Sequence, residues 1–139
     1  MVIVLSNYEE YFIKIFQKEK INFEREKRFK DLKDGLLRFD FYLGYINDKE
    51  VIIEIDGEYH FKPIQGRAAL LKQQGYDRRK NSYCLANNIE LYRIPYWEIN
   101  NIKKFNNIFK DDFLVKDKWH NDYLISRRRN NDRDNTINL

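Results

Sequence analysis

The sequence predicts an α/β fold, a β-hairpin and a further strand flanked by helices, and three observations carry that reading. Between Leu36 and Phe61, the stretch LLRFDFYLGYINDKEVIIEIDGEYHF alternates apolar and polar residues with a period of two on both sides of Ile46-Asn47-Asp48-Lys49. On either side of it, apolar residues recur at three- and four-residue spacing, the period of a helix with one buried face. The length of 139 residues, with 42% apolar and 16% aromatic content, suffices for one packed core and one domain.

Taken in order, Tyr8 to Lys20 places Tyr8, Tyr11, Phe12, Ile15 and Phe16 on one helical face opposite charged residues, with Ser6 or Asn7 available as a cap. Ile21 to Phe29 fits a short edge strand or a continuation of that helix. Asp34-Gly35 marks a turn. In the hairpin, Leu37, Phe39, Phe41 and Leu43 fall on one face with Arg38, Asp40 and Tyr42 on the other. Across from them Val51, Ile53 and Ile55 oppose Ile52, Glu54 and Asp56. Asp40 shares a face with the two acids of the second strand only if it pairs opposite one of them, so an odd-length loop or a bulge is expected around residues 46–49.

Gln65 to Asn87 has helical composition, with a break near Gly75 or a helix beginning at Tyr76 or Asp77, closed by Asn87-Asn88. Ile89 to Ile94 is a strand stopped by Pro95. Asn101 to Phe113 reads as a last helix with Ile102, Phe105, Ile108 and Phe109 inward. The domain is expected to span 1–125, and 126–139, where apolar residues almost vanish, to be a disordered basic tail or a phosphate-contacting arm. No internal repeat stands out.

A charged fraction of 35% and a mean hydropathy of -0.78 describe a water-facing surface. The longest leading apolar run, Val2 to Leu5, is too short for a signal peptide or a bilayer crossing, so a cytoplasmic protein without a membrane partner is expected, in a bacterial cell or a phage-infected host. The single cysteine, Cys84, excludes an internal disulfide and a cysteine-cluster zinc site, and its apolar neighbours place it in a core. A net charge of +4 and a pI near 9.0 suit a nucleic-acid partner without requiring one.

Asp40, Glu54, Asp56 and His60 stand among Phe, Ile and Val, where an unpaired charge is costly. Such residues fit either a buried polar network or a divalent-metal site. Mg²⁺ held by one or two carboxylates can neutralise phosphoryl oxygens and activate water, and a nearby histidine can move a proton near neutral pH.

The blocks FDFYL, VIIEIDGEYHF and DRRKNSYCLANNIELYRIPY, in that order across about Phe23 to Ile99, resemble the PD-(D/E)XK nuclease superfamily. Within it they are most similar to the branch containing very-short-patch repair endonucleases, DUF559-like proteins and phage homing endonucleases with the EDxHD motif. The resemblance implies a restriction-endonuclease-like α-β-β-β-α-β core with a mixed central sheet and an additional C-terminal helix. It implies that Asp40 and Glu54 are metal ligands, and that Asp56 stands where most members carry lysine. By the same resemblance His60 and Asp77 match the last two positions of EDxHD, and Glu26, or its competitor Glu24, the first. Lys80, one turn from Asp77, is placed to replace the missing lysine from the helix. Other readings remain: Asp77 as a helix cap, Lys80 as a solvated lysine, Glu26 as a surface acid.

The expected activity is therefore a Mg²⁺-dependent DNA endonuclease of nicking, homing or repair type, with Mn²⁺ as a possible substitute and no organic cofactor. Asp40, Glu54 and Asp56 would hold the metal. Arg38, Arg67, Arg78, Arg79 and Arg93 would meet the DNA backbone, and Tyr59 or Tyr96 a base, with Tyr92 and Trp97 read as core. The protein would act as a monomer or homodimer, and a nuclease fold that only binds DNA is the competing outcome.

Overall fold

The computed structural model describes the main chain of residues 3–137 and the side-chain environment of residues 7–128. Its elements are α1 (Ile3–Lys18), β1 (Glu24–Arg28), β2 (Arg38–Ile46), β3 (Lys49–Asp56), α2 (Arg67–Ala86), β4 (Ile89–Pro95) and α3 (His120–Ile137), joined in part by short 3₁₀ turns. The four strands form one mixed sheet in the order β1-β2-β3-β4. β1/β2 and β2/β3 are antiparallel, and β3/β4 is parallel because α2 crosses over between them. The fold is thus α/β, a four-stranded mixed sheet flanked by helices. Among the described residues no helix is long and apolar enough to cross a membrane.

Two apolar clusters hold the sheet between its helices. Phe12, Ile15 and Phe16 of α1 pack with Phe41, Val51, Ile53, Ile55 and Ile94 on one face. On the other, Phe39, Ile52 and Leu91 pack with Cys84 of α2. Burial pushes the Cys84 thiol up to about 12, which keeps it an uncharged core residue.

The hairpin loop has two residues: Ile46 pairs with Lys49, and Asn47 and Asp48 take left-handed φ values of 52° and 66°. The expected irregularity lies further along, where the register steps between Tyr42 and Gly44 and Gly44 sits at φ 69°. Without that bulge Asp40 would lie level with Ile55. With it, Phe41 pairs with Ile53, and the same register brings Asp40 level with Glu54.

Strict alternation then fails at Asp40. Phe41 meets Phe16 of α1, whereas Phe39 meets Phe29 and lies under the Lys80 ammonium on the α2 side. The expectation that Phe39 and Phe41 share a face is therefore corrected.

Other differences have identifiable causes. α1 begins at Ile3, so Ser6 and Asn7 lie within it and not at its start. Between the two open readings of Ile21 to Phe29 the structure takes the edge strand, β1. α2 runs unbroken through Gly75, whose surroundings offer no packing demand for a bend, and closes at Asn87 and Asn88 as expected. No α-helix forms over Asn101 to Phe113. The apolar residues there are inward, but asparagine carboxamides compete with helical hydrogen bonding: Asn107 Oδ1 accepts from the main-chain N–H of Lys103 and Lys104, and the segment forms two 3₁₀ turns, Phe105–Ile108 and Asp111–Phe113. The segment expected as a disordered tail from Ser126 instead continues α3 as far as Ile137; residues 138 and 139 lie outside the described residues.

Candidate active site

Where β2 and β3 part at Asp40, side chains replace ladder bonds. The Asp40 N–H donates to Glu54 Oε1 at 2.7 Å, and the Ile55 N–H donates to Asp40 Oδ2 at 2.8 Å. Each acid is thus fixed by the other strand's main chain, side by side at the base of a pocket of about 540 Å³. Lys80 reaches in from α2 and donates to Glu54 Oε2 at 3.0 Å. It is the second half of α2, beyond Gly75, that aims Asp77, Lys80, Asn81 and Cys84 at the sheet.

Burial and the adjacent Glu54 carboxylate push the Asp40 carboxyl well above the usual range, against the pull of Lys80 and the Ile55 N–H. Burial alone would lower Lys80, but the Glu54 and Asp40 carboxylates outweigh it and keep the amine charged.

Behind this pair lies a second, buried group. Arg93 of β4, fully buried, donates to Asp56 Oδ1 at 2.8 Å and to Asn81 Oδ1 at 2.7 Å, and lies 3.6 Å from Asp77 Oδ1. Asn121, from the first turn of α3, donates to Asp56 Oδ2 at 3.0 Å and approaches Asp77 Oδ2 at 3.4 Å. His60 Nδ1 meets the same Asp77 oxygen at 2.8 Å and Asp56 at 3.5 Å. Burial works to lower His60, but the Asp56 and Asp77 carboxylates raise it to about 9, so it is an imidazolium at neutral pH. Asp77 is lowered: burial opposes this, and Arg93 and His60 prevail. His120 is buried beside Arg93 and lowered to about 4 by desolvation first and that guanidinium second.

The expected residues divide accordingly. Asp40, Glu54, His60, Lys80, Glu26 and Arg38 line the one pocket, while the competitor Glu24 pairs with Lys27 elsewhere on β1. Asp56 is not brought there. Both its oxygens are engaged by Arg93 and Asn121, so it braces His60 and is not placed as a third ligand. Asp77 caps nothing and holds His60. Arg93, expected on the DNA surface, is instead the hub of the buried group. Arg78 is bound to Asp122 and stacked on Trp119, and Arg67 and Arg79 do not line the pocket, Arg79 belonging to a separate surface. Tyr8, Glu9, Gln73 and Tyr76 line the pocket without having been singled out, as do Asn81 and Asn121 the network. Only Asn81 carried a signal, one residue from Lys80 in a helix too polar to be all surface.

Among the described residues no group of three or more His, Cys, Asp or Glu side chains is arranged to hold a metal ion. Two adjacent carboxylates remain, a donor set that suits Mg²⁺, which takes one or two carboxylates and completes its shell with water and phosphate oxygens. The charge count agrees. Lys80, Arg93 and protonated His60 are three cations against the four carboxylates of Asp40, Glu54, Asp56 and Asp77, and the excess negative charge sits at Asp40, where proton affinity is raised. Compared with protein-family models, curated proteins and solved structures, the chain finds no match.

Proposed function

We propose that this chain is a metal-dependent DNA endonuclease with a restriction-endonuclease-like core. The observation that carries the reading is the Asp40–Glu54 pair, fixed by main-chain hydrogen bonds where two strands separate, with the Lys80 ammonium 3.0 Å from Glu54. The order α1-β1-β2-β3-α2-β4 supports it, being the order that the PD-(D/E)XK resemblance implies.

Asp40 and Glu54 would hold Mg²⁺ or Mn²⁺. When bound, such an ion lowers the pKa of a coordinated water and neutralises charge developing on the phosphoryl oxygens. Lys80 holds one proton and one positive charge at the pocket base, where it orients Glu54 and offsets charge on the scissile phosphate. It thereby takes from the helix the part that a lysine at position 56 would play. His60, charged at neutral pH and held at Nδ1 by Asp77 and Asp56, is an acid and not a base. Its Nε2–H is available to protonate the departing oxygen. Arg38, at the rim and half exposed, and Lys33 and Lys72, which lie against the pocket-lining Tyr76, supply phosphate contacts. One such site cuts one strand, so a monomer nicks and a homodimer or two successive nicks break the duplex.

Supercoiled plasmid incubated with Mg²⁺ tests this. The wild type is expected to convert it to open circle, and Glu54→Gln and Lys80→Ala to lose at least about a hundredfold in rate. Plasmid left intact but retarded in a salt-sensitive way would replace the nuclease by a DNA-binding module.

A further inference from the structure

Beside the proposed phosphate pocket lies a second one of about 330 Å³, between the turn at Glu58–His60 and the first half of α2. The two adjoin, with His60 and Gln73 lining both. Exposed Ala69 and half-buried Leu70 give the second an apolar lining. Tyr59 offers an aromatic wall, and Lys62 and Gln65 stand at an exposed edge.

Gln73 gives this space a defined polarity. Its Nε2 donates to Asp77 Oδ1 at 3.1 Å. A carboxylate only accepts, so the carboxamide cannot be turned over, and Oε1 must face away from Asp77. Gln73 lines both pockets, so Oε1 is the acceptor that it can offer there, while its Nε2 is engaged by the residue that also holds His60.

An aromatic face, an apolar lining, a cation at the rim and an oriented acceptor beside the proposed phosphate pocket match one kind of occupant. We propose that this second pocket receives a nucleobase unstacked from the duplex next to the cut, and that Gln73 Oε1 accepts a hydrogen bond from its exocyclic amino group. The inference rests on the nuclease reading and adds to it where specificity is read. Adenine, cytosine and guanine carry an exocyclic amino group on the edge that an extruded base presents; thymine does not.

The test is binding, in Ca²⁺, of labelled duplexes bearing a single bulged nucleotide: adenine, purine (adenine without its amino group) or an abasic site. The wild type is expected to bind bulged adenine about tenfold more tightly than bulged purine, and purine more tightly than the abasic duplex. Ala69→Trp, which sets a bulky ring at an exposed position of the lining and obstructs the pocket, should abolish both preferences, with folding checked by its melting temperature. Equal affinity for adenine and purine, or preferences that survive Ala69→Trp, overturns the inference. Plasmid nicking measured alongside separates the two failures: nicking without a base preference removes only the subsite, and no nicking with Mg²⁺ removes the nuclease reading and the subsite with it.

Discussion

Asp40 lies beside Glu54 with its carboxyl pushed well above the usual range by burial and by that neighbour. Folded protein thus binds this proton more tightly than unfolded protein, so the associated stability is present below the unfolded pKa near 4 and is lost as pH rises through the folded value. Asp40→Asn keeps an oxygen to accept from Ile55 and removes the charge. It is expected to raise the melting temperature at pH 7 while removing cleavage, and a thermal scan of both proteins checks the first half. His60 behaves alike in sign for a different reason. Raised to about 9 from 6.5 by Asp56 and Asp77, it contributes fully below pH 6.5 and loses that contribution as pH passes 9. Denaturant titrations from pH 6 to pH 10 should show a fall on the order of 3 kcal/mol in the wild type and a flatter profile in His60→Gln. Arg93 is the opposite case. Arg93→Met leaves Asp56 and Asp77 buried without their main cation and is expected to cost about 3–5 kcal/mol in the same titration.

The bulge in β2 is the element-scale feature on which the site depends, because it moves Asp40 from the level of Ile55 to that of Glu54. Gly44 sits there at φ 69°, and a β-carbon added to it would meet nothing within 4 Å, so the demand is conformational and not steric. Gly44→Val should cost about 1–2 kcal/mol and reduce cleavage with it. Gly75 lies inside α2 with the same open surroundings and an ordinary helical backbone, so Gly75→Ala should gain about 0.5–1 kcal/mol. Both are read from urea midpoints. The same elements show what sequence alone could reach. Parity of the alternation between Asp40 and Glu54 demanded a one-residue irregularity, because side chains change face with every step. Its position at Leu43-Gly44 was not legible, since Gly44 could equally have been an ordinary strand glycine. The run Asn101 to Phe113 shows the converse: helical spacing correctly marked Ile102, Phe105 and Ile108 as buried, but 3₁₀ turns bury the same residues, and periodicity does not register asparagine's competition for the main chain.

At the scale of the whole molecule, the site is assembled on the α2 face of the sheet's parallel half. β3 gives Glu54 and Asp56, β4 gives Arg93, α2 gives Asp77 and Lys80, and α3 closes the back with Asn121. Arg93 and Asn121 were illegible as partners of these acids because nothing local marks them: an arginine in a basic chain reads as surface, and Asn121 follows a stretch of turns. The parallel crossover brings Arg93, 37 positions on, to Asp56, and the packing of α3 brings Asn121, 65 positions on, to the same carboxylate. The charge left over from that convergence is negative and is concentrated at Asp40 and Glu54, which is why the molecule is expected to need a divalent cation and why its chemistry should stop when Asp40 is neutral. The most direct measurement is the rate of plasmid nicking in Mg²⁺ by purified Asp40→Asn beside the wild type. The expected result is nicking by the wild type alone, from a variant that melts at or above the wild-type temperature. Nicking by Asp40→Asn at the wild-type rate would contradict the assignment.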